Sequence, residues 1–61
     1  MTFYGIATED LTDGFNVIEA GQCVTVTLLD GDAWTAEQYR VTDNTTTVWL
    51  KASERLMVDA A

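Results

Sequence analysis

A strict alternation of side chains in residues 22–29 constrains the fold of this chain more than any other feature of its sequence. Apolar residues fall on one face and small residues on the other; the two sets are Val24, Val26 and Leu28, and Cys23, Thr25 and Thr27. A period of two is the side-chain period of a β-strand with one buried face. The dipeptide Asp30-Gly31 follows directly and is a strong hairpin signal. The pattern therefore predicts a half-buried strand that leads into a hairpin.

Two further segments predict strands. Residues 2–8 are rich in strand-forming side chains, and residues 45–52 alternate as residues 22–29 do. One face of this last strand consists of Val48, Leu50 and Ala52, and the other of Thr47, Trp49 and Lys51. Asp43-Asn44 precedes it and is typical of a tight turn.

Residues 34–41 fit two structures, because their alternation changes parity in the middle of the segment. A β-bulge near Glu37 and Gln38 would restore a continuous strand. The alternative is a single helical turn, with Thr35 and Gln38 spaced as a capping box.

Two other segments also have helical alternatives. Thr8 and Gly14 are suitable residues to begin and end one helical turn over residues 9–13. Residues 55–58 fit either a closing strand or a short terminal helix capped by Ser53.

Short strands separated by turn signals predict an all-β protein. The 61 residues are expected to form one small domain. The economical arrangement is a bent five-stranded antiparallel sheet or a partly open barrel, SH3-like in size, because curling hides strand edges. At most one short helical turn is expected, near residues 9–13 or 35–39. An α+β fold with a short helix is the alternative.

The aromatic side chains are expected mainly in the core. A domain of this size buries only about 60% of its unfolded surface, so large side chains are disproportionately useful there. The six aromatic residues are Phe3, Tyr4, Phe15, Trp34, Tyr39 and Trp49. Of the two tryptophans, we expect one to be exposed.

The chain is strongly acidic. It has 10 Asp and Glu, 3 Lys and Arg and no His, which gives a formal net charge of −7 and a pI of about 4.1. Direct binding to nucleic acid is not expected, because phosphate contacts need clustered cations. Membrane binding is not expected either, because anionic lipids repel an anionic protein. The acidity fits a surface that meets a basic partner, and it also fits adaptation to high salt.

We expect no enzymatic activity, cofactor or bound metal. The chain lacks the glycine-rich motifs of nucleotide sites and has no His to activate Cys23 or Ser53 as a nucleophile. Cys23 is expected to be a small, semi-buried apolar side chain. Asp30-Gly31-Asp32 begins like a calcium loop, but Trp34 and Val41 stand where later ligands would be needed.

A cytoplasmic location is expected. A single cysteine cannot form an intramolecular disulfide, and the first residues do not resemble a secretory leader.

These features favour a small non-catalytic binding protein. We expect an inhibitor of the kind that phages and other mobile elements use, such as an anti-CRISPR or other anti-defence protein. Its carboxylates would occlude the basic nucleic-acid-binding surface of a larger complex, in imitation of phosphates. The candidate partner-binding residues are Glu9, Asp10, Asp13, Asp30, Asp32, Glu37, Asp43 and Trp49. The alternative is a structural β module that associates with copies of itself to form a larger assembly.

Overall fold

The computed structural model describes residues 1–31 and 36–61, and the strands in these ranges are short. They are β1 (Thr2–Ala7), β2 (Leu11–Thr12), β3 (Val17–Ile18), β4 (Cys23–Leu29), β5 (Gln38–Thr42), β6 (Thr47–Lys51) and β7 (Val58–Ala60). Five of them form one antiparallel sheet in the order β6-β5-β4-β1-β7, and β2 pairs with β3 in a separate hairpin. The predicted all-β fold with a five-stranded antiparallel sheet is confirmed. In the described ranges, no helix has the length and apolar character needed to cross a membrane.

The buried face of the sheet follows from the alternation of apolar residues. Phe3 of β1 is the partner of Val26 in β4, and Val26 is the partner of Val41 in β5. Val41 pairs with Val48 in β6, which completes an apolar row across four strands. The three valines are 0% exposed. Because β-branched side chains pack well on a pleated surface, this row forms the centre of the core.

The β2–β3 hairpin replaces the helical turn considered for residues 9–13. Leu11 and Ile18 lie opposite each other in the hairpin and are 3% and 1% exposed. Two paired strands place both side chains on one face, against the core of the sheet. Gly14 has a φ of 92°, a backbone conformation that favours glycine, and it lies in the turn between the two strands. The helical interpretation of this segment is therefore wrong.

The β4–β5 hairpin forms, but with a longer connection than a two-residue turn. Leu29 pairs with Gln38, so the connection runs over residues 30–37. The register of β5 is continuous, without the expected bulge, and Gln38 is extended rather than helical. Trp34 and Thr35, on which both interpretations also depended, lie outside the described residues.

A closing strand, β7, forms beside β1, but it begins at Val58 and shares only that residue with the expected segment 55–58. Residues 55–57 are neither strand nor helix, so both interpretations of them are wrong. Gly5 lies opposite Ala60 in this pair. A side chain at Gly5 would place its Cβ 2.7 Å from Cγ1 of Val58, and it would also overlap the carbonyl oxygen of Asp59. Glycine at this position therefore allows β7 to approach the sheet.

Candidate protein-binding surface

Acidic side chains are concentrated in the segments between strands. Nine of the ten Asp and Glu residues lie in the described ranges, and eight of those nine are in connecting segments. The eight are Glu9, Asp10, Asp13, Glu19, Asp30, Glu37, Asp43 and Glu54. The longer strands β1, β4, β5 and β6 contain no Asp or Glu, whereas Arg40 and Lys51 lie on β5 and β6. Negative charge is thus carried by the turns and connections rather than by the central strands.

The acidity is also unequal along the chain. Residues 1–39 contain seven Asp and Glu and no Lys or Arg, whereas residues 40–61 contain three of each. The first part therefore accounts for the whole net charge of −7, and the second part is neutral. A stretch of one sign produces a field that attracts surfaces of the opposite sign. The overall composition alone does not show this asymmetry.

Asp13 lies in the turn of the β2–β3 hairpin and accepts hydrogen bonds from three backbone groups. Its Oδ1 accepts the N–H groups of Phe15 and Asn16, both at 2.9 Å. Its Oδ2 accepts the N–H of Trp49 at 3.3 Å. The donors of Asn16 and Phe15 lower the pKa of Asp13, because they stabilise the ionised carboxylate. Two predicted partner-binding residues, Asp13 and Trp49, are thereby brought into contact.

Asp10 and Asp43 also accept backbone hydrogen bonds. Oδ1 of Asp10 accepts the N–H of Ala20 at 2.9 Å. Oδ1 of Asp43 accepts the N–H groups of Thr45 at 2.8 Å and Thr46 at 2.6 Å, and these bonds lower the pKa of Asp43. The predicted tight turn at this aspartate is confirmed. Each of these two carboxylates is consequently fixed in position relative to the backbone.

The other predicted carboxylates lie in separate connections. Glu9, Asp30 and Glu37 are exposed. Glu9 adjoins Asp10 between β1 and β2, whereas Asp30 and Glu37 lie in the β4–β5 connection. Asp32, in that same connection, lies outside the described residues. The predicted set is therefore distributed over the segment from β1 to β4, the β4–β5 connection and the β5–β6 turn.

Three of the five aromatic side chains in the described ranges are exposed. Phe15 is 93% exposed, Tyr4 69% and Trp49 43%. Phe3 and Tyr39 pack against the core as expected. The core expectation is wrong for Phe15 because it lies in a hairpin turn, and for Tyr4 because its parity places it on the outer face of β1. Trp49 is exposed, whereas Trp34 lies outside the described residues, so the expectation that only one of the two tryptophans is exposed stays a prediction.

An open groove of about 320 Å³ lies on the outer face of β1 and β4. Tyr4, Ile6 and Thr25 contribute to its lining, and Ile6 is 46% exposed. Cys23, the cross-strand partner of Ile6, also lines the groove and is exposed. The expected semi-buried position of Cys23 is wrong, because this side chain lies on the outer face of β4 while Val24 and Val26 take the buried face.

The described surface combines exposed aromatic side chains with acidic turns. Exposed aromatic side chains lie beside turns whose carboxylates are fixed by backbone donors. Aromatic residues are enriched at the centres of protein interfaces, and charged residues at their rims. Comparison of the chain with protein-family models, with curated proteins and with solved structures found no match.

Proposed function

We propose that the protein is a small acidic, non-catalytic inhibitor that binds a basic, nucleic-acid-binding surface of a larger protein or complex. Its carboxylates would occupy the cationic positions that otherwise hold phosphates, so that binding excludes nucleic acid from that surface. The biological class that we propose is a phage or mobile-element protein directed against a cytoplasmic defence complex, such as an anti-CRISPR protein. This class rests on analogy from size and charge.

The observation that carries this proposal is the segregation of charge. The whole net charge arises from residues 1–39, and the acidic residues of that part in the described ranges all lie in connections between strands. Carboxylates in turns and loops can approach a partner before the sheet does, and a field of one sign speeds encounter with an oppositely charged surface. Fixed carboxylates such as those of Asp10 and Asp43 lose little conformational freedom on binding.

The proposal predicts a complex whose formation depends on salt. The tagged protein is immobilised and incubated with host lysate at low ionic strength, and the bound proteins are eluted with rising salt. The main eluted complex is then purified, and its binding to nucleic acid is measured with and without this protein. Competitive loss of nucleic-acid binding supports the proposal, and affinity that is independent of salt contradicts its electrostatic part.

A pair of matched variants tests whether location or total charge matters. Glu9→Gln/Glu19→Gln and Glu54→Gln/Asp59→Asn each change the net charge by two, and all four side chains are exposed. The first pair lies in the all-acidic part and the second in the neutral part. We expect the first double variant to slow association with the purified partner by on the order of tenfold and the second to have a smaller effect. Equal effects would indicate that only net charge matters.

A second candidate function is self-association into a structural assembly. The exposed side chains of Tyr4, Ile6 and Phe15 favour it, because association would bury apolar surface that the single chain leaves in water. Light scattering of the purified protein without any partner tests it. A stable oligomer supports this function, whereas a monomer leaves the inhibitor as the better proposal.

A further inference from the structure

Among the residues that the structure describes, the most exposed large apolar side chain lies in the turn of the β2–β3 hairpin. We infer that Phe15 is the apolar anchor of the proposed interface, and that it inserts into an apolar pocket bordered by Lys or Arg on the partner. This inference rests on the proposed function, because it names the group that the acidic surface would position. The occupant to which it commits is a protein pocket with apolar walls and a cationic rim.

Phe15 is more exposed than any other aromatic side chain that the structure describes. Its side chain is 93% exposed, against 43% for Trp49 on the neighbouring strand β6. An aromatic ring in water forgoes a large burial energy, which a partner's pocket would recover. Val17, in β3 of the same hairpin, is 53% exposed and is therefore a second apolar side chain in contact with water in this hairpin.

The backbone that presents Phe15 is held by local hydrogen bonds on both sides of the ring. Oγ1 of Thr12 accepts the N–H of Gly14 at 3.1 Å. Oδ1 of Asp13 accepts the N–H groups of Phe15 itself and of Asn16. A hot-spot side chain presented on an ordered turn costs less entropy on binding than one on a mobile loop. The turn is thus organised before any partner arrives.

The same turn is tied to the edge of the main sheet. The side-chain amide of Asn16 donates to the carbonyl of Thr47 at 3.2 Å, and Oδ2 of Asp13 accepts the N–H of Trp49. These two contacts lie on either side of Phe15 in the chain and both reach β6. These contacts join the backbone on both sides of Phe15 to the edge of the main sheet.

The charge of the surrounding segment specifies the rim of the partner's pocket. Residues 8–22 carry four Asp and Glu and no Lys or Arg. A purely apolar surface would have to desolvate those carboxylates without compensation. A second copy of this chain would bring the same charges together, which opposes association through this face. A partner with a cationic rim would form ion pairs with these carboxylates, and an apolar pocket inside that rim would bury the ring of Phe15.

A selection from displayed peptides tests this assignment without a known partner. The full chain is immobilised, and cyclic random peptides that bind it are selected at low salt. The selected peptides are then titrated against the wild-type protein, Phe15→Ser and the control Val17→Ser. Since Phe15 lies outside the core, its replacement is expected to leave the thermal unfolding midpoint within about 2 °C of wild type.

The inference predicts peptides that combine Lys or Arg with aliphatic or aromatic residues, and that bind Phe15→Ser at least about tenfold more weakly than the wild type. Val17→Ser is expected to lose only about twofold to threefold. Failure to enrich any peptide overturns the inference, as does equal binding to wild type and Phe15→Ser. The inference is also overturned if sedimentation shows an oligomer for the wild type and a monomer for Phe15→Ser. The face would then bind a second copy of this chain.

The two proposals fail in distinguishable ways. If the captured partner binds independently of salt but still requires Phe15, the electrostatic function and the cationic rim are both wrong, and only the insertion of the ring into an apolar pocket stands. If the partner binds with steep salt dependence and Phe15→Ser binds as well as the wild type, the function stands and the anchor is wrong.

Discussion

The carboxylate of Asp13 accepts the backbone N–H of Trp49 across a separation of 36 residues, and this contact joins the β2–β3 hairpin to β6. β6 is an edge of the five-stranded sheet. Unpaired N–H groups on an edge strand invite pairing with other chains. Asp13 satisfies one of these donors with a side chain, and Asn16 donates to the carbonyl of Thr47 on the same edge. The hairpin thus protects the edge without continuing the sheet.

Removal of the carboxylate is expected to expose this edge. In Asp13→Ala, the N–H of Trp49 loses its acceptor, so its hydrogen exchange should be faster by roughly threefold to tenfold. Exchange at Val48, which pairs with Val41 inside the sheet, is the internal control and should change little. The measurement is amide exchange by NMR. Equal acceleration at both amides would indicate general destabilisation instead of a local opening.

The same carboxylate predicts a loss of stability in acid. Hydrogen bonds from Asn16 and Phe15 hold the pKa of Asp13 below its ordinary value of 3.8. A carboxyl group whose pKa is lower in the folded than in the unfolded protein stabilises the fold. This stabilisation is complete above the pKa of the unfolded protein, and it is lost as pH falls through the pKa of the folded protein. Asp43 contributes in the same direction, because Thr45 and Thr46 lower its pKa too.

Urea unfolding of Asp13→Asn at about pH 6 and about pH 3 tests this sign. The wild type should lose more stability between the two conditions than the variant, since the variant no longer has that carboxylate to protonate. Glu9→Gln removes one exposed negative charge and is the control for net charge. The explanation is wrong if Asp13→Asn and wild type show the same pH dependence.

The sheet was predictable because its strands are long enough to show a period. In β4, apolar residues alternate with small residues over most of the strand. The sequence predicts that Val24 and Val26 lie on the buried face, and the structure confirms this. The turn at Asp43 was predictable because an aspartate side chain commonly accepts hydrogen bonds from the backbone N–H groups two and three residues later in the chain, as Asp43 does. Such signals are local, so a sequence shows them without knowledge of the fold.

The hairpin and the exposed ring were not predictable in the same way. β2 and β3 have two residues each, and a strand of two residues is too short to show a period in its sequence. Their extended form depends on Leu11 and Ile18 reaching a core built mostly by distant strands. Phe15 was expected in the core because aromatic residues usually are, and only the turn around it reverses that expectation. The one available signal was its place directly after Asp13-Gly14.

The buried side of the hairpin should make a large contribution to stability. Ile18 is 1% exposed, and Ile18→Ala is expected to lower the free energy of unfolding by about 2–5 kcal/mol. Val17, its neighbour, is 53% exposed, and Val17→Ala should change stability by about 0.5 kcal/mol or less. Urea unfolding of both variants provides the comparison. Similar losses would mean that the hairpin does not pack on the core as described.

Gly5 should resist replacement even by alanine. The added Cβ would meet Val58 and Asp59, so β7 would have to move away from β1. Forcing an extra methyl group into such a contact typically costs about 1–3 kcal/mol. Tyr4→Ala, at a neighbouring exposed position of the same strand, is the control and should cost less. Thermal unfolding measures both, and amide exchange in β7 should accelerate only in Gly5→Ala.

The turn at Asp43 provides a graded test of the role of a capping carboxylate. Asp43→Asn keeps a side-chain oxygen that can accept the N–H groups of Thr45 and Thr46, but it removes the charge that strengthens those bonds. Asp43→Ala removes the acceptor entirely and leaves both donors without it. We therefore expect unfolding free energies at neutral pH in the order wild type, Asp43→Asn, Asp43→Ala. Asn44→Ala, at the exposed next position of the turn, is the matched control. If Asp43→Ala is as stable as this control, the carboxylate does not hold the turn, and the lowered pKa of Asp43 has no consequence for folding.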